Sequence, residues 1–300
     1  MRRETTLRRR EFISSGGAAV FAPTVALAAP GLALAAPGSP FAELEARSGG
    51  ALGVYAEDLT TGRVLAHRAD ARFPLCSSFK CLAAGAVLAR VDRGEERLDR
   101  VIKYSAADLM SYAPTAKAHV SEGGLALGAL CEAAVSLSDN TAANLILDQI
   151  DGPAGLTRWL RGIGDPVTRL DHKEPELNRV PVGAKTDTTS PRAMAASVRK
   201  LLLGEVLKPE SRARLLAWMD GCKTGDHRIR AGAPGWRVAD KTGTYDGCCN
   251  DVAYLRDAKG RQIMLALYLT NAHRLDDAGR EAVLAEATRI ALRALSNAHG

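Results

Sequence analysis

The order of the periodic patterns along the chain is the feature that most constrains its fold. Near one end, residues 51–59 and 63–67 mix apolar and polar side chains on either side of a Thr-Thr-Gly turn, which predicts a β-hairpin. Near the other end, residues 237–244, 251–256 and 261–270 predict three more strands. The middle of the chain has the apolar spacing of helices. Strands from both ends are therefore expected to meet in one sheet.

Helices are predicted before the hairpin, in five central segments and at the end of the chain: 41–48, 78–90, 125–137, 141–150, 153–162, 191–203 and 276–295. This order favours an α/β (α+β) fold of two lobes, with an antiparallel sheet flanked by helices and a separate all-helical lobe. We place the sheet lobe at residues 41–74 and 216–297 and the helical lobe at 75–215. A ligand site is expected in the cleft between them.

Residues 1–35 have the composition of an export signal. Five arginines among the first ten residues are opposed by only two glutamates, so half of the formal net charge of +6 lies there. Arg9 and Arg10 precede Phe12 and an Ala/Gly-rich apolar run, a pattern similar to the twin-arginine signals that carry folded proteins out of a bacterial cytoplasm. A small-x-small step ending at Ala35 predicts cleavage there, and the one ending at Ala28 is the alternative. Residues 36–297 are then the catalytic domain.

An uncleaved membrane anchor is the other interpretation of this segment. Pro23 and Pro30, with many small residues, make it a poor spanning helix. We therefore expect an exported protein, periplasmic or secreted, with no stable membrane insertion after cleavage. The mature chain keeps half of the positive excess, which disfavours a nucleic-acid partner, and we expect a monomer.

The cysteines and histidines lack the spacing of a metal site. There is no repeated C-x-x-C, no H-E-x-x-H and no H-x-H. A metallohydrolase is therefore disfavoured, and no metal or cofactor is expected. Export allows some thiols to oxidise, but the residues alone leave the pairing open. The six cysteines are Cys76, Cys81, Cys131, Cys222, Cys248 and Cys249.

Ser77 and Lys80 form an S-x-x-K motif where an extended approach gives way to an apolar helix. Ser77 and Lys80 are three residues apart, so on a helix the lysine amine can reach the serine hydroxyl. The N-terminus of the helix also offers backbone N–H groups to an oxyanion. A neighbouring base turns a serine hydroxyl into a nucleophile. A helix cap followed by a solvent-facing lysine has the same pattern, so the motif alone does not decide.

Two further motifs lie near the predicted lobe boundaries. Ser138 and Asn140 belong to a Ser-Asp-Asn run between two helices, where they are either a polar cap or a proton shuttle and an amide donor to a substrate carbonyl. A Lys-Thr-Gly-Thr run lies on a predicted strand, with its lysine and glycine on one face. Its glycine would let a ligand approach the backbone, whereas a strand end with an exposed lysine is the alternative. Its members are Lys241, Thr242, Gly243 and Thr244.

In this order, S-x-x-K, S-D-N and K-T-G resemble the signature of penicillin-recognising serine enzymes. The run Glu-Pro-Glu-Leu-Asn at 174–178, in the irregular segment 168–189, is similar to the omega loop of class A serine β-lactamases. D-D-peptidases share the three motifs but lack this glutamate. The resemblance covers essentially the whole mature chain. It implies a serine hydrolase that opens the cyclic amide of penicillins and cephalosporins and confers β-lactam resistance.

The resemblance implies that Ser77 is acylated and then released by water. The backbone N–H groups of Ser77 and Thr244 would hold the oxyanion, and either Lys80 or Glu174 acting through a water would take the serine proton. Ser138 would pass a proton to the leaving nitrogen. Glu174 would activate the deacylating water, whereas Glu176 is interpreted as structural or exposed.

The resemblance also implies a set of substrate-binding residues. The substrate carboxylate is expected to meet the strand motif and an arginine, for which Arg228 is the candidate and Arg230 the alternative. The implied binding residues are Tyr112, Asn140, Asn178, Arg228, Lys241, Thr242, Gly243 and Thr244.

Class A carbapenemases often have a cysteine before the nucleophile, as Cys76 is here, bridged to one directly after K-T-G-T. That second position is Tyr245 in this chain. A bridge from Cys76 to the cysteine at 248 or 249 is therefore a hypothesis. So is a bridge from Cys131 to Cys81, because Ala84 occupies the family's partner position. Carbapenem hydrolysis does not follow from Cys76 alone.

Three other functions remain open at this stage. A D-D-peptidase is disfavoured by Glu174 and Asn178. A penicillin sensor would stay acylated and would normally lack that glutamate. A general esterase is the broadest alternative.

Overall fold

A five-stranded antiparallel sheet joins the two ends of the chain in the computed structural model, which describes residues 39–296. The strands run in the order β2-β1-β9-β8-β7, and every neighbouring pair is antiparallel. The predicted fold class is confirmed. The strands of the chain are β1 (Ala51–Asp58), β2 (Val64–His67), β3 (Phe73–Pro74), β4 (Val101–Lys103), β5 (Gly124–Ala126), β6 (Thr188–Thr189), β7 (Arg237–Tyr245), β8 (Cys248–Arg256) and β9 (Gln262–Thr270).

Helices cover the sheet and build the middle of the chain. They are α1 (Pro40–Ser48), α2 (Phe79–Asp92), α3 (Pro114–Ala118), α4 (Leu127–Ser136), α5 (Asn140–Asp148), α6 (Gly152–Gly162), α7 (Pro191–Leu203), α8 (Pro209–Asp220), α9 (Ile229–Gly232) and α10 (Asp277–Ser296). Ser190 caps α7 by accepting a hydrogen bond from the backbone N–H of Ala193.

Two sequence predictions need correction. The helix predicted for 125–137 begins only at Leu127, because residues 124–126 form β5 and pair with β4. Helix α8 was not predicted, because arginines and a glutamate interrupt its apolar spacing; it buries Leu215, Trp218 and Met219.

Helix α2 is the centre of the larger hydrophobic core. All of its residues from Phe79 to Ala89 are buried, so it is surrounded by packing on every side. The larger core joins α2 to the central helices and to one face of the sheet, where Tyr268 packs. A second core lies on the other face, between the sheet and the helices α1 and α10. Ser77, which directly precedes α2, is therefore supported by a closely packed core.

The predicted limits of the domains stay predictions. The proposed change of lobe between residues 215 and 216 falls inside α8. The predicted signal, residues 1–35, lies outside the described residues. Within residues 39–296, no helix is both long and apolar enough to cross a membrane.

Candidate active site

Ser77 lies in a single turn of 3₁₀ helix, Cys76–Ser78, directly before α2. The turn is fixed from behind by Ser78, whose hydroxyl donates to the Leu75 carbonyl oxygen at 2.6 Å and lies 3.0 Å from the Tyr268 hydroxyl. Cys76 has a φ of 44°, in the left-handed region that side chains other than glycine rarely adopt. Burial and hydrogen bonds therefore hold the turn Cys76–Ser78, which we call the nucleophile turn because it carries the candidate nucleophile Ser77, in a strained shape.

Gly243 on β7 packs against this turn. A Cβ atom at position 243 would lie 3.0 Å from the Cys76 Cβ and 3.0 Å from the Leu75 carbonyl oxygen. The glycine therefore lets β7 approach the segment that carries Ser77. The predicted approach of a ligand to the Gly243 backbone stays a prediction.

One carboxylate oxygen joins the nucleophile to the lysine of its motif. Glu174 Oε1 accepts a hydrogen bond from the Ser77 hydroxyl at 3.4 Å and lies 3.2 Å from Lys80 Nζ. Lys80 Nζ also donates to the Ser138 carbonyl oxygen at 2.9 Å and to Asn140 Oδ1 at 2.5 Å. The Lys80 ammonium is thus in contact with the Glu174 carboxylate and with two residues of the Ser-Asp-Asn motif.

Burial lowers the pKa of Lys80 from 10.5 to about 8. The removal of the ammonium from water is the largest cause, and the nearby charge of Lys241 acts in the same direction. The Glu174 carboxylate opposes both by stabilising the ammonium. Lys80 is therefore mainly cationic at neutral pH and becomes neutral only in mildly alkaline solution.

Ser138 lies between the two buried lysines. Its hydroxyl oxygen is 3.1 Å from Lys241 Nζ and 3.4 Å from Lys80 Nζ. The residue has a φ of 60°, and the following Asp139 fixes this turn. The Asp139 carboxylate caps α5 through the N–H of Ala142 and accepts two more backbone N–H bonds from α3. The Ser-Asp-Asn run therefore does cap α5, and it also places the Ser138 hydroxyl between Lys80 and Lys241.

Glu174 is held by two asparagines. Asn178 Nδ2 donates to Glu174 Oε2 at 2.7 Å and to the Pro175 carbonyl oxygen at 3.1 Å. The Asn144 amide on α5 makes a reciprocal pair with the Glu174 backbone, donating to its carbonyl oxygen and accepting from its N–H, both at 2.9 Å. Sequence reasoning missed Asn144, since its only local signal is an amide on a helix that follows the Ser-Asp-Asn motif.

A cavity of about 350 Å³ opens beside these groups. It brings together residues from all the predicted motifs except the glutamate segment. Thr224, which was not predicted, also lines it, with its hydroxyl oxygen 2.5 Å from that of Thr242. The lining residues are Ser77, Tyr112, Ser138, Asn140, Thr224, Arg228, Thr242 and Thr244. Lys241 is fully buried and lies beneath this lining.

The two candidate arginines have different surroundings. Arg228 Nη2 donates to the Thr244 hydroxyl at 2.7 Å, and its Nη1 donates to the Gly243 carbonyl oxygen at 3.0 Å. Arg230 instead pairs with the buried Asp240 carboxylate at 2.6 Å. The structure therefore brings Arg228, and not Arg230, to the cavity.

All six cysteines lie within the described residues, and all are free and buried. The hypothetical bridge from Cys76 is not formed. The neighbouring Cys76 thiol and the 3.2 Å contact with the Thr270 hydroxyl lower the pKa of the Cys248 thiol to about 6. Among residues 39–296, no group of three or more histidine, cysteine or acidic side chains is arranged to hold a metal ion.

Comparison with known proteins gives a consistent result. The profile of the Beta-lactamase enzyme family matches residues 39–295. Beta-lactamase FAR-1 of Nocardia farcinica is 48% identical, over 85% of this chain and 82% of its own length. The carbapenem-hydrolyzing beta-lactamase KPC of Klebsiella oxytoca is 46% identical, over 85% of this chain and 88% of its own. The solved ancestral (GNCA) beta-lactamase class A superimposes with a TM-score of 0.82 at 54% identity, covering 84% of this chain and 97% of that one.

Proposed function

This chain belongs to the class A β-lactamases, and we propose that it hydrolyses the amide bond of penicillins and cephalosporins through an acyl-enzyme on Ser77. Hydrolysis of that bond is what confers β-lactam resistance. The observation that carries the mechanism is the shared Glu174 Oε1 atom, which contacts both the Ser77 hydroxyl and Lys80 Nζ.

Acylation begins with attack of the Ser77 hydroxyl oxygen on the lactam carbonyl carbon. Glu174 takes the serine proton, because its carboxylate is the acceptor of the serine hydrogen bond. In Glu174→Gln the pKa of Lys80 is lower because the carboxylate is gone, and the neutral Lys80 amine takes the serine proton instead. Lys80 stays cationic and stabilises the carboxylate until the proton arrives. The backbone N–H groups of Ser77 and Thr244, two residues that line the same cavity, hold the developing oxyanion.

Collapse of the tetrahedral intermediate breaks the lactam C–N bond, and the leaving nitrogen needs a proton. Ser138 supplies it, since its hydroxyl lines the cavity and lies within hydrogen-bond range of two ammonium groups. Lys80 passes a proton to the Ser138 oxygen and takes the Ser77 proton from Glu174, so the carboxylate is a base again when deacylation begins. Lys241 donates a hydrogen bond to the same Ser138 oxygen. The burial of both lysines strengthens this interaction.

Deacylation uses Glu174 a second time. The carboxylate takes a proton from a water that attacks the ester carbonyl, and Ser77 leaves with that proton restored to it. The hydrogen bond from Asn178 to Oε2 and the pair between Asn144 and the Glu174 backbone fix the direction of the carboxylate. The position of the base is therefore set before the substrate arrives.

The substrate carboxylate binds on the β7 side of the cavity. Thr242 and Thr244 offer hydroxyls there, and Arg228 supplies a permanent positive charge. Asn140 and Tyr112 also line the cavity, and the Asn140 amide can donate to the substrate's side-chain carbonyl. The positive charge of Lys241, which is fully buried beneath the cavity lining, also favours a substrate that carries a carboxylate.

Turnover of a chromogenic cephalosporin tests the proposal. The wild type should show steady hydrolysis, and Ser77→Ala should abolish it while it keeps the fold. A wild-type protein that acylates once and stops would favour a penicillin sensor. Steady hydrolysis of D-Ala-D-Ala peptides without β-lactam turnover would favour a D-D-peptidase.

Export through a twin-arginine signal to the periplasm or the medium belongs to the same proposal, and we propose that the mature enzyme is a monomer. Export is supported by the arginine pair, the Ala/Gly-rich run after it and the cleavage step at Ala35. A reporter fused after residue 36 should reach the periplasm, and replacement of Arg9 and Arg10 by lysine should retain it in the cytoplasm. Export unaffected by that replacement would rule out the twin-arginine route.

A further inference from the structure

The segment that carries Glu174 is closed at its base by a histidine. We call residues 168–189 the Glu174 loop. His172 Nδ1 lies 2.6 Å from Asp187 Oδ2, so the contact joins the outgoing end of the loop to its returning end. His172 precedes Glu174 by two residues. The position of the carboxylate is therefore connected to this contact through a very short piece of backbone.

The Asp187 carboxylate is nearly enclosed, with its side chain 3% exposed. Its Oδ1 atom accepts the backbone N–H bonds of Asp171 and His172 at 2.7 and 2.9 Å. Its own backbone N–H donates to Asp171 Oδ2 at 3.0 Å. The two ends of the loop are thus joined by bonds from backbone N–H donors, which do not titrate, and by one bond from an imidazole, which does.

Asp187 also connects the loop to the nucleophile turn. Its carbonyl oxygen accepts the backbone N–H of Leu75 at 2.9 Å, and Leu75 precedes Ser77 by two residues. A shift at Asp187 would consequently be felt by both Glu174 and Ser77. The contact between His172 and Asp187 can therefore affect the distance between Glu174 and Ser77.

The charged groups around the imidazole favour its protonated form. Asp187, Asp171 and Glu176 are all acidic, and the pKa of His172 is raised above its ordinary 6.5, chiefly by the hydrogen bond with Asp187. The nearest cations are engaged elsewhere: Arg169 pairs with Asp171, and Lys173 pairs with Asp148.

We propose that His172 is a positioning residue for Glu174, and that its protonated ring holds the Glu174 loop in the shape that supports deacylation. This inference rests on the proposed role of Glu174. A protonated ring donates a charge-assisted bond to Asp187, whereas a neutral ring donates a weaker one. Because the native pKa is raised, the stabilisation is complete below 6.5 and is lost as the pH rises through the native value.

The test compares deacylation rates across pH in three variants. His172→Gln keeps a neutral donor, His172→Arg keeps a permanent charge, and His119→Gln is the matched control. His119 makes a similar 2.6 Å contact with Glu122 but lies outside the loop. Rates are divided by those of the wild type, so that the titration of Lys80 cancels.

Between about pH 5 and 9, His172→Gln should deacylate about three- to tenfold more slowly than the wild type at the acidic end, and the two rates should converge at the alkaline end. His172→Arg should match the wild type in acid and exceed it in alkali. The ratio for His119→Gln should stay constant. An NMR titration of the His172 ring should have its midpoint where the ratios change.

A His172→Gln ratio that is low but constant with pH would show a purely structural contact and would overturn the inference. So would a His172 ring that titrates at 6.5 or below. These outcomes differ from failure of the proposed function, which would appear as normal deacylation in Glu174→Gln.

Discussion

Lys80 and Glu174 form an ion pair of 3.2 Å in which both side chains are almost completely excluded from solvent. A buried pair of this kind is a poor source of stability, because the loss of hydration offsets much of the attraction. Its effect here is on the protonation state of Lys80, because the Glu174 carboxylate raises the pKa of the lysine.

The titration of Lys80 should therefore depend on Glu174. In the wild type, Lys80 should lose its proton near pH 8, and acylation should fall with it. Glu174 raises the pKa of Lys80, so in Glu174→Gln the ammonium should titrate at lower pH. An NMR titration of the Lys80 side chain measures this, with Lys173→Gln as a control that should leave the Lys80 midpoint in place. An unmoved midpoint in Glu174→Gln would show that the pair does not control Lys80.

Asn178→Ala should slow deacylation by about tenfold or more and leave acylation less affected, since the carboxylate loses its 2.7 Å anchor. Glu176→Gln is the matched control: Glu176 belongs to the same short turn but is exposed. Rapid-quench kinetics separate the two steps. Slower deacylation in Glu176→Gln than in Asn178→Ala would mean that the wrong glutamate has been assigned as the base.

Gly243→Ala should lower kcat by about tenfold or more, because the added Cβ would displace the Cys76 turn that positions Ser77. Gly162→Ala provides a comparison, since a Cβ there would contact nothing within 4 Å. That change should leave activity and the melting temperature nearly unchanged. Wild-type kcat in Gly243→Ala would show that the turn tolerates displacement.

Arg228→Ala should raise KM for penicillins by about ten- to a hundredfold, as expected for loss of a charged hydrogen bond to a carboxylate. The effect should largely disappear with a penicillin methyl ester, which a purely structural role would not explain. Arg230→Ala should leave KM unchanged and lower stability by about 3 kcal/mol, because Asp240 would be buried without its partner. A larger KM effect in Arg230→Ala would reverse the assignment.

The sequence predicted those parts of the site that depend on neighbouring residues. The S-x-x-K spacing puts Ser77 and Lys80 together at the start of a helix, and the strands, though not their order in the sheet, follow from alternation along each segment. Contacts between distant residues were not accessible in this way. Asn144 holds Glu174 across thirty positions of sequence, and Gly243 is required by the packing of Cys76, which no pattern along β7 reveals. The complete burial of Lys241 was also beyond sequence reasoning, since a strand lysine is more often at the surface.

The most direct measurement is the intact mass of Glu174→Gln after brief exposure to a penicillin. We predict a gain of one whole substrate mass, located by peptide mapping on Ser77, which persists long after the wild type has returned to its free mass. The deacylation rate should be about 10²–10⁴-fold lower than that of the wild type. A Glu174→Gln protein that turns over the penicillin at the wild-type rate, or an adduct on a residue other than Ser77, would contradict the account.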